Sequence, residues 1–228
     1  PKALNKIKTG TEFEFGNGKL KAIYIDRNLD KAILKLLYTG KLSIILNEIA
    51  KMPMPPYIKR ENNNDNNLEA LDRERYQTIF ARYPGAIAAP TAGLHFTPNT
   101  LKSLKDKGVN TTHITLHVGT GTFQPIRTEN IIEHKMQEEK FHISKEATKS
   151  LIISNKNHRK IIAVGSTTTR VLESIDLSTL QKEGTSGWTE RYIFPGQKFN
   201  SVNHILTNFH LPKSTLYILV CAFSNKKL

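Results

Sequence analysis

The stretch Ile161-Ile162-Ala163-Val164-Gly165-Ser166-Thr167-Thr168-Thr169-Arg170 decides the fold class. Its apolar start reads as a short buried strand over Ile161 to Val164, followed by a hydroxyl-rich turn and a helix over Thr168 to Ile175. The same alternation extends outward. Leu68 to Arg82 has helical spacing, and Thr97-Pro98 offers an N-cap with proline in the first turn of a helix that Gly108 closes. Val109 to Val118 alternates as a strand, and Ser144 can cap a helix to about Asn157. Ile205 to Asn208 reads as a strand leading to a helix over Ser214 to Phe223. Helices and strands in alternation predict a mixed α/β class with a layered α/β main domain.

Upstream the pattern differs. Thr11 to Phe15 alternates polar and apolar, breaks at Gly16-Asn17-Gly18 and resumes from Lys19 to Ile25, which predicts a hairpin. A strand over Lys31 to Tyr38 and a short helix over Leu42 to Ala50 follow. Met52-Pro53-Met54-Pro55-Pro56 fits neither a helix interior nor a central strand, and Glu61 to Asn67 (ENNNDNN) has nothing to bury. The expected organisation is a small β-rich module at 1–57, a linker at about 58–67 and an α/β domain at 68–228.

Composition limits the function classes. With 38% hydrophobic and 23% charged residues the 228-residue chain is globular rather than disordered. No apolar run reaches the roughly 20 residues of a membrane span, Pro1 to Lys8 lacks a signal-peptide core, and the single Cys221 suits a reducing cytoplasm. The net charge of +13 is uneven: +7 over residues 1–60, −1 over 61–140 and +7 over 141–228. Basic flanks around a near-neutral centre suit a polyanion held beside a chemical site, and solvated lysine faces account for the charge equally well.

Three loops carry the chemistry-bearing residues. In Pro90-Thr91-Ala92-Gly93-Leu94-His95-Phe96, Gly93 lets a backbone approach a ligand, His95 can move a proton and Phe96 can stack on a base. A tight turn around a structural histidine is the plainer alternative. His113, Thr115 and His117 are expected on one face of a strand that ends in Gly119-Thr120-Gly121-Thr122-Phe123, where ligands of α/β sheets usually sit. In Thr207-Asn208-Phe209-His210-Leu211-Pro212, Asn208 and His210 converge at another strand end. The hydroxyls of Thr167 and Thr168 suit an anion or ribose, and Arg170 suits a carboxylate or phosphate, with an N-capping turn as the alternative. His134, Glu138 and Glu139 have the makeup of an acid/base group, but their spacing matches no zinc pattern, and no metal is expected. Trp188 is expected in the core.

The segments AAPTAGLHF, TLHVGTGTF, GSTTTR with Glu173, GWT at 187–189 and LTNFHLPKSTL together resemble the S-adenosylmethionine:tRNA ribosyltransferase-isomerases of queuosine biosynthesis. The likeness runs from about Gly10 to Phe223, and MPMPPYI at 52–58 resembles the family's join between a small β-barrel and its main domain. The resemblance implies a cytoplasmic, monomeric tRNA-modifying enzyme whose donor is S-adenosylmethionine and whose acceptor is 7-aminomethyl-7-deazaguanine in tRNA. Its product would be epoxyqueuosine, with adenine and methionine released. It also implies that the chain lacks about the first quarter of the family's length and a terminal piece. Gln137 stands where the family usually has a histidine, and Gln197 replaces a common aromatic; Gln can hydrogen-bond but cannot take a proton.

On that resemblance, His95, His117, Glu139 and His210 are the candidates for proton handling. Pro90, Thr91, Gly93, Phe96, Thr115, Gly119, Thr120, Gly121, Thr122, Thr167, Thr168, Arg170 and Asn208 are the candidates for shaping the donor and base pocket. Two other functions fit parts of the chain: a non-catalytic RNA-binding remnant, suggested by Gln137, and a phosphate-handling nucleotide enzyme, suggested by the GSTTTR and GTGTF turns.

Overall fold

The computed structural model describes residues 7–28, 31–54, 58, 66–119 and 126–225. The chain divides into two compact units, Pro1–Met52 and Pro53–Leu228. Most of the expected linker at 58–67 lies outside the described residues.

In the first unit, strands β1 (Glu12–Phe15), β2 (Leu20–Asn28) and β3 (Lys31–Leu37) form an antiparallel sheet in the order β1-β2-β3, followed by helix α1 (Leu42–Ile49). The hairpin turn works because Gly16, Asn17 and Gly18 all take positive φ, which only Gly and Asn adopt readily. Leu20, Ala22 and Tyr24 alternate onto the buried face of β2. An ion pair from Lys19 to Glu48 ties the turn to α1. The described strands form an open sheet, so the barrel implied by the family resemblance is not formed by these residues.

The second unit is mixed α/β with two small sheets. Its elements are α2 (Asn66–Arg75), α3 (Pro98–Asp106), β4 (Ile114–His117), β5 (Glu139–Ile143), α4 (Lys145–Lys156), β6 (Ile162–Val164), α5 (Ser166–Leu172), β7 (Thr185–Thr189), β8 (His204–Leu206) and α6 (Thr215–Phe223). Strands β4-β5-β7 make one antiparallel sheet, and β6 pairs with β8 in parallel. Phe141 and Ile143 of β5 pack against Ala147 and Leu151 of α4 and Val171 and Leu172 of α5 to form the main core. Glu173 closes α5 and accepts three backbone N–H bonds, from Asn200 at 2.8 Å, Ser201 at 3.0 Å and Val202 at 2.8 Å. A single carboxylate thereby satisfies a loop that has no strand partner. Among the described residues no helix is long and apolar enough to cross a membrane.

Several sequence expectations need correction. The helix expected to reach Arg82 ends at Arg75, because Gln77 Oε1 takes the Thr78 N–H at 3.1 Å and Tyr76 and Thr78 both turn inward, a spacing of two that no helix provides. The strand expected from Val109 begins only at Ile114, and His113 lies before it with its ring 5.4 Å from that of Phe80. Helix α5 begins at Ser166 rather than Thr168, since Gly165 at φ +94° turns the chain by itself. The GSTTTR hydroxyls are thus helix residues, with Ser166, Thr167 and Thr169 buried. Trp188 is 62% exposed rather than in the core, because β7 turns Gly187 toward Phe141 and Trp188 away.

Candidate active site

The first loop is organised around Phe80. The Thr91–His95 segment forms a turn of 3-10 helix that starts after Pro90, whose carbonyl accepts the Gly93 N–H at 2.8 Å. A Cβ placed on Gly93 would lie 3.1 Å from Thr78 and 3.3 Å from Phe80, so this glycine lets the segment seat closely on those two side chains. Phe96 is likewise engaged, its ring centroid 5.7 Å from Phe80. Thr97 and Thr100 then form a reciprocal capping box at the start of α3. His95, by contrast, projects to the surface, and its Nε2 lies 2.9 Å from Asn208 Nδ2 across 113 residues of chain. The first and third loops therefore meet through one side-chain hydrogen bond.

The second loop follows β4. Thr115 pairs with His142 and His117 with Lys140, so these four side chains share a sheet face. Glu139 points to the other face with Phe141 and Ile143, as the alternating burial of β5 requires. His117 and Glu139 are consequently separated by the sheet. The His117 ring lies against Gly85, whose φ is +138°, and a Cβ there would fall 2.7 Å from His117 Nδ1. That Nδ1 is buried with no hydrogen-bond partner among the described residues. Gly85→Ala should lower stability by about 1–3 kcal/mol, through backbone strain and a forced shift of His117. A denaturant midpoint unchanged from wild type would contradict this packing. Thr120, Gly121 and Thr122 lie outside the described residues.

Glu139 is buried and forms an ion pair with Arg170, both side chains being 3% exposed. Its Oε1 also accepts the Gly119 N–H at 3.3 Å. The pair joins β5, α5 and the start of the second loop. Arg170, expected to hold a ligand anion, thus holds a protein carboxylate. Its Nε and Nη1 are buried without partners among the described residues. Burial pulls the guanidinium below its usual range, and the Glu139 carboxylate opposes that pull. Thr167 is buried beside it in α5, and Thr168 is half-buried.

In the third loop, Thr207 Oγ1 and His210 Nε2 lie 2.9 Å apart, and Ser214 caps α6 by accepting the Tyr217 N–H at 3.2 Å. The Lys213 carbonyl accepts the Ile126 N–H at 2.9 Å, which ties this loop to the chain leaving the second. Burial holds His210 below its ordinary value of 6.5, and the same cause lowers His134, whose ring meets the edge of Tyr192 at 5.3 Å. Both groups bind protons more weakly when folded, so the unfolded chain takes up more protons below about pH 6.5 and stability falls as pH falls through that window. The expected result is a melting temperature that drops between pH 7 and pH 5. A His134→Asn/His210→Asn variant should show a shallower drop, and an identical slope would remove these two groups from the account.

The arrangement brings together His95 with Asn208, and Glu139 with Arg170 and Gly119. It places His117 against Gly85, on the sheet face away from Glu139, and His210 against Thr207. Glu138 is exposed, Glu139 is buried and His134 has an aromatic partner, so the three residues of the expected acid/base group at 134–139 have different surroundings. The sequence reading missed three histidine partners: Thr207, which lies within the third loop, Gly85, which lies just ahead of the first, and Tyr192, whose alternation with Phe194 was the available signal. Among the described residues, no group of three or more His, Cys, Asp or Glu side chains is placed to hold a metal. Open grooves beside Lys19, Leu36 and Tyr38 and beside Leu101 and Val109 contain none of the candidate residues.

Comparison with known proteins gives consistent relatives. The chain is 45% identical over 228 residues to the S-adenosylmethionine:tRNA ribosyltransferase-isomerase of Staphylococcus epidermidis, spanning 99% of this chain and 64% of that protein. It is 43% identical over 223 residues to the protein of that name from Thermoanaerobacter sp., spanning 97% of this chain and 63% of the relative. It thus spans a little under two thirds of the length of these relatives. A solved S-adenosylmethionine tRNA ribosyltransferase from Thermotoga maritima is 29% identical, with a TM-score of 0.47, covering 97% of this chain and 58% of that one. The family model described as queuosine biosynthesis protein matches residues 1–228, the whole of the chain, which therefore belongs to the queuosine biosynthesis protein family.

Proposed function

We propose that the chain transfers and isomerises the ribosyl portion of S-adenosylmethionine onto 7-aminomethyl-7-deazaguanine in tRNA, giving epoxyqueuosine and releasing adenine and methionine. It acts as a cytoplasmic monomer in this reading. The observation that carries it is the His95–Asn208 hydrogen bond at 2.9 Å, which joins two of the sequence segments that resemble the family.

A sulfonium acidifies the carbon next to it, so a neutral imidazole suffices to start the reaction once water is excluded. Asn208 Nδ2–H donates to His95 Nε2, which leaves the proton of the neutral ring on Nδ1. When Nε2 takes a proton from the donor, the Asn208 amide must turn to accept it. Asn208 Oδ1, buried without a partner among the described residues, is the acceptor suited to that imidazolium. Glu139 acts through position rather than by proton transfer: already committed to Arg170 and to the Gly119 N–H, it fixes where the second loop leaves β4. Burial of the Ser166, Thr167 and Thr169 hydroxyls removes the open hydroxyl turn that a phosphate-handling enzyme would need.

The test is incubation of the chain with S-adenosylmethionine and tRNA bearing 7-aminomethyl-7-deazaguanine, following adenine by chromatography. Adenine release that requires the modified tRNA supports the proposal. Tight tRNA binding with no release would assign the chain to RNA binding alone.

A further inference from the structure

Phe209 is 107% exposed, the highest value among the large apolar side chains of the described residues. Its exposure does not come from an untethered loop. Asn208 on one side is bonded to His95, and the next residue, His210, is bonded to Thr207, each at 2.9 Å. The chain is held on both sides while the ring between them has no ring partner among the described residues. Phe96, the aromatic of the first loop, is by contrast packed on Phe80. One free aromatic face therefore stands next to the residue that orients His95.

We propose that Phe209 is the stacking platform for a purine-like heterocycle brought to His95, an inference that rests on the transferase reading above. A single phenyl face is far smaller than the roughly 800 Å² per partner of a stable protein interface, but it matches one base. Every base offers a π-face on which such a ring can stack. The +7 charge of residues 141–228 supplies the attraction for a phosphate-bearing partner. Two sources present this chemistry, the adenine of the donor and the deazaguanine of tRNA.

The experiment measures dissociation constants for S-adenosylmethionine and for the modified tRNA, in wild type, Phe209→Leu and Phe209→Tyr. Leucine keeps an apolar side chain and removes the π-face, and since the ring is fully exposed among the described residues, the melting temperature should not change. Phe209→Leu should weaken one ligand about tenfold, with Phe209→Tyr within about twofold of wild type. Loss in the donor arm identifies adenine, and loss in the tRNA arm identifies the target base. Phe209→Leu that binds both ligands and turns over like wild type overturns this inference and leaves the transferase reading standing. Equal loss in Phe209→Tyr also overturns it, because the π-face would not be the cause. A wild-type chain that binds neither ligand overturns both.

Discussion

Replacing His95 by Ala lowers kcat for adenine release by about 10²–10⁴-fold, the usual contribution of a positioned acid/base group, and leaves the KM for S-adenosylmethionine within a few fold. The imidazole is surface-exposed and hydrogen-bonded to Asn208, so its removal opens no core cavity and the melting temperature should stay close to wild type. That separation of activity from stability is the point of the measurement. A histidine with a purely structural role would lose stability first, and undiminished turnover would remove His95 from the mechanism. Asn208→Ala should give a smaller loss together with a shifted pH profile, because it removes the group that orients Nε2 and would accept a hydrogen bond from the imidazolium.

Breaking the Glu139–Arg170 pair should destabilise the fold more than any other substitution named above. Both side chains are 3% exposed, so Glu139→Ala leaves a buried guanidinium with no carboxylate, at a cost of about 3–5 kcal/mol. Removing both charges together should cost less. A Glu139→Leu/Arg170→Met variant replaces the pair by apolar side chains of similar volume and should recover a large part of the loss. Guanidinium unfolding of the two singles and the double measures the coupling. Strictly additive losses would mean that the pair does not act as a unit. The double variant should still turn over poorly, since it no longer holds the Gly119 N–H at the start of the second loop.

Local signals made much of the fold legible. The Gly16-Asn17-Gly18 turn, the Thr97-Pro98 start of α3 and the Ser144 and Ser214 caps depend on neighbours within four residues, and each appears where its residues place it. Strands β5 and β7 were not legible. The Glu139–Ile143 segment reads as the tail of a charge run, and Thr185–Thr189 has little apolar content, so both become strands through pairing with each other and with β4. The same limit applies to the site. The histidine-bearing loops could be picked out as such, but that His95 meets Asn208 while Glu139 meets Arg170 on the face away from His117 depends on register, and a one-residue slip would exchange those faces. Phe96 and Gly93 were plausible ligand contacts because nothing local reveals Phe80, which occupies both.

The proposed transfer of a ribosyl group from donor to tRNA is tested by mass analysis of nucleosides digested from 7-aminomethyl-7-deazaguanine tRNA after incubation with S-adenosylmethionine and the chain. A new nucleoside with the mass of epoxyqueuosine, absent when His95→Ala replaces wild type, is the predicted result. Recovery of the starting nucleoside alone, from a folded chain that binds the tRNA, would contradict it.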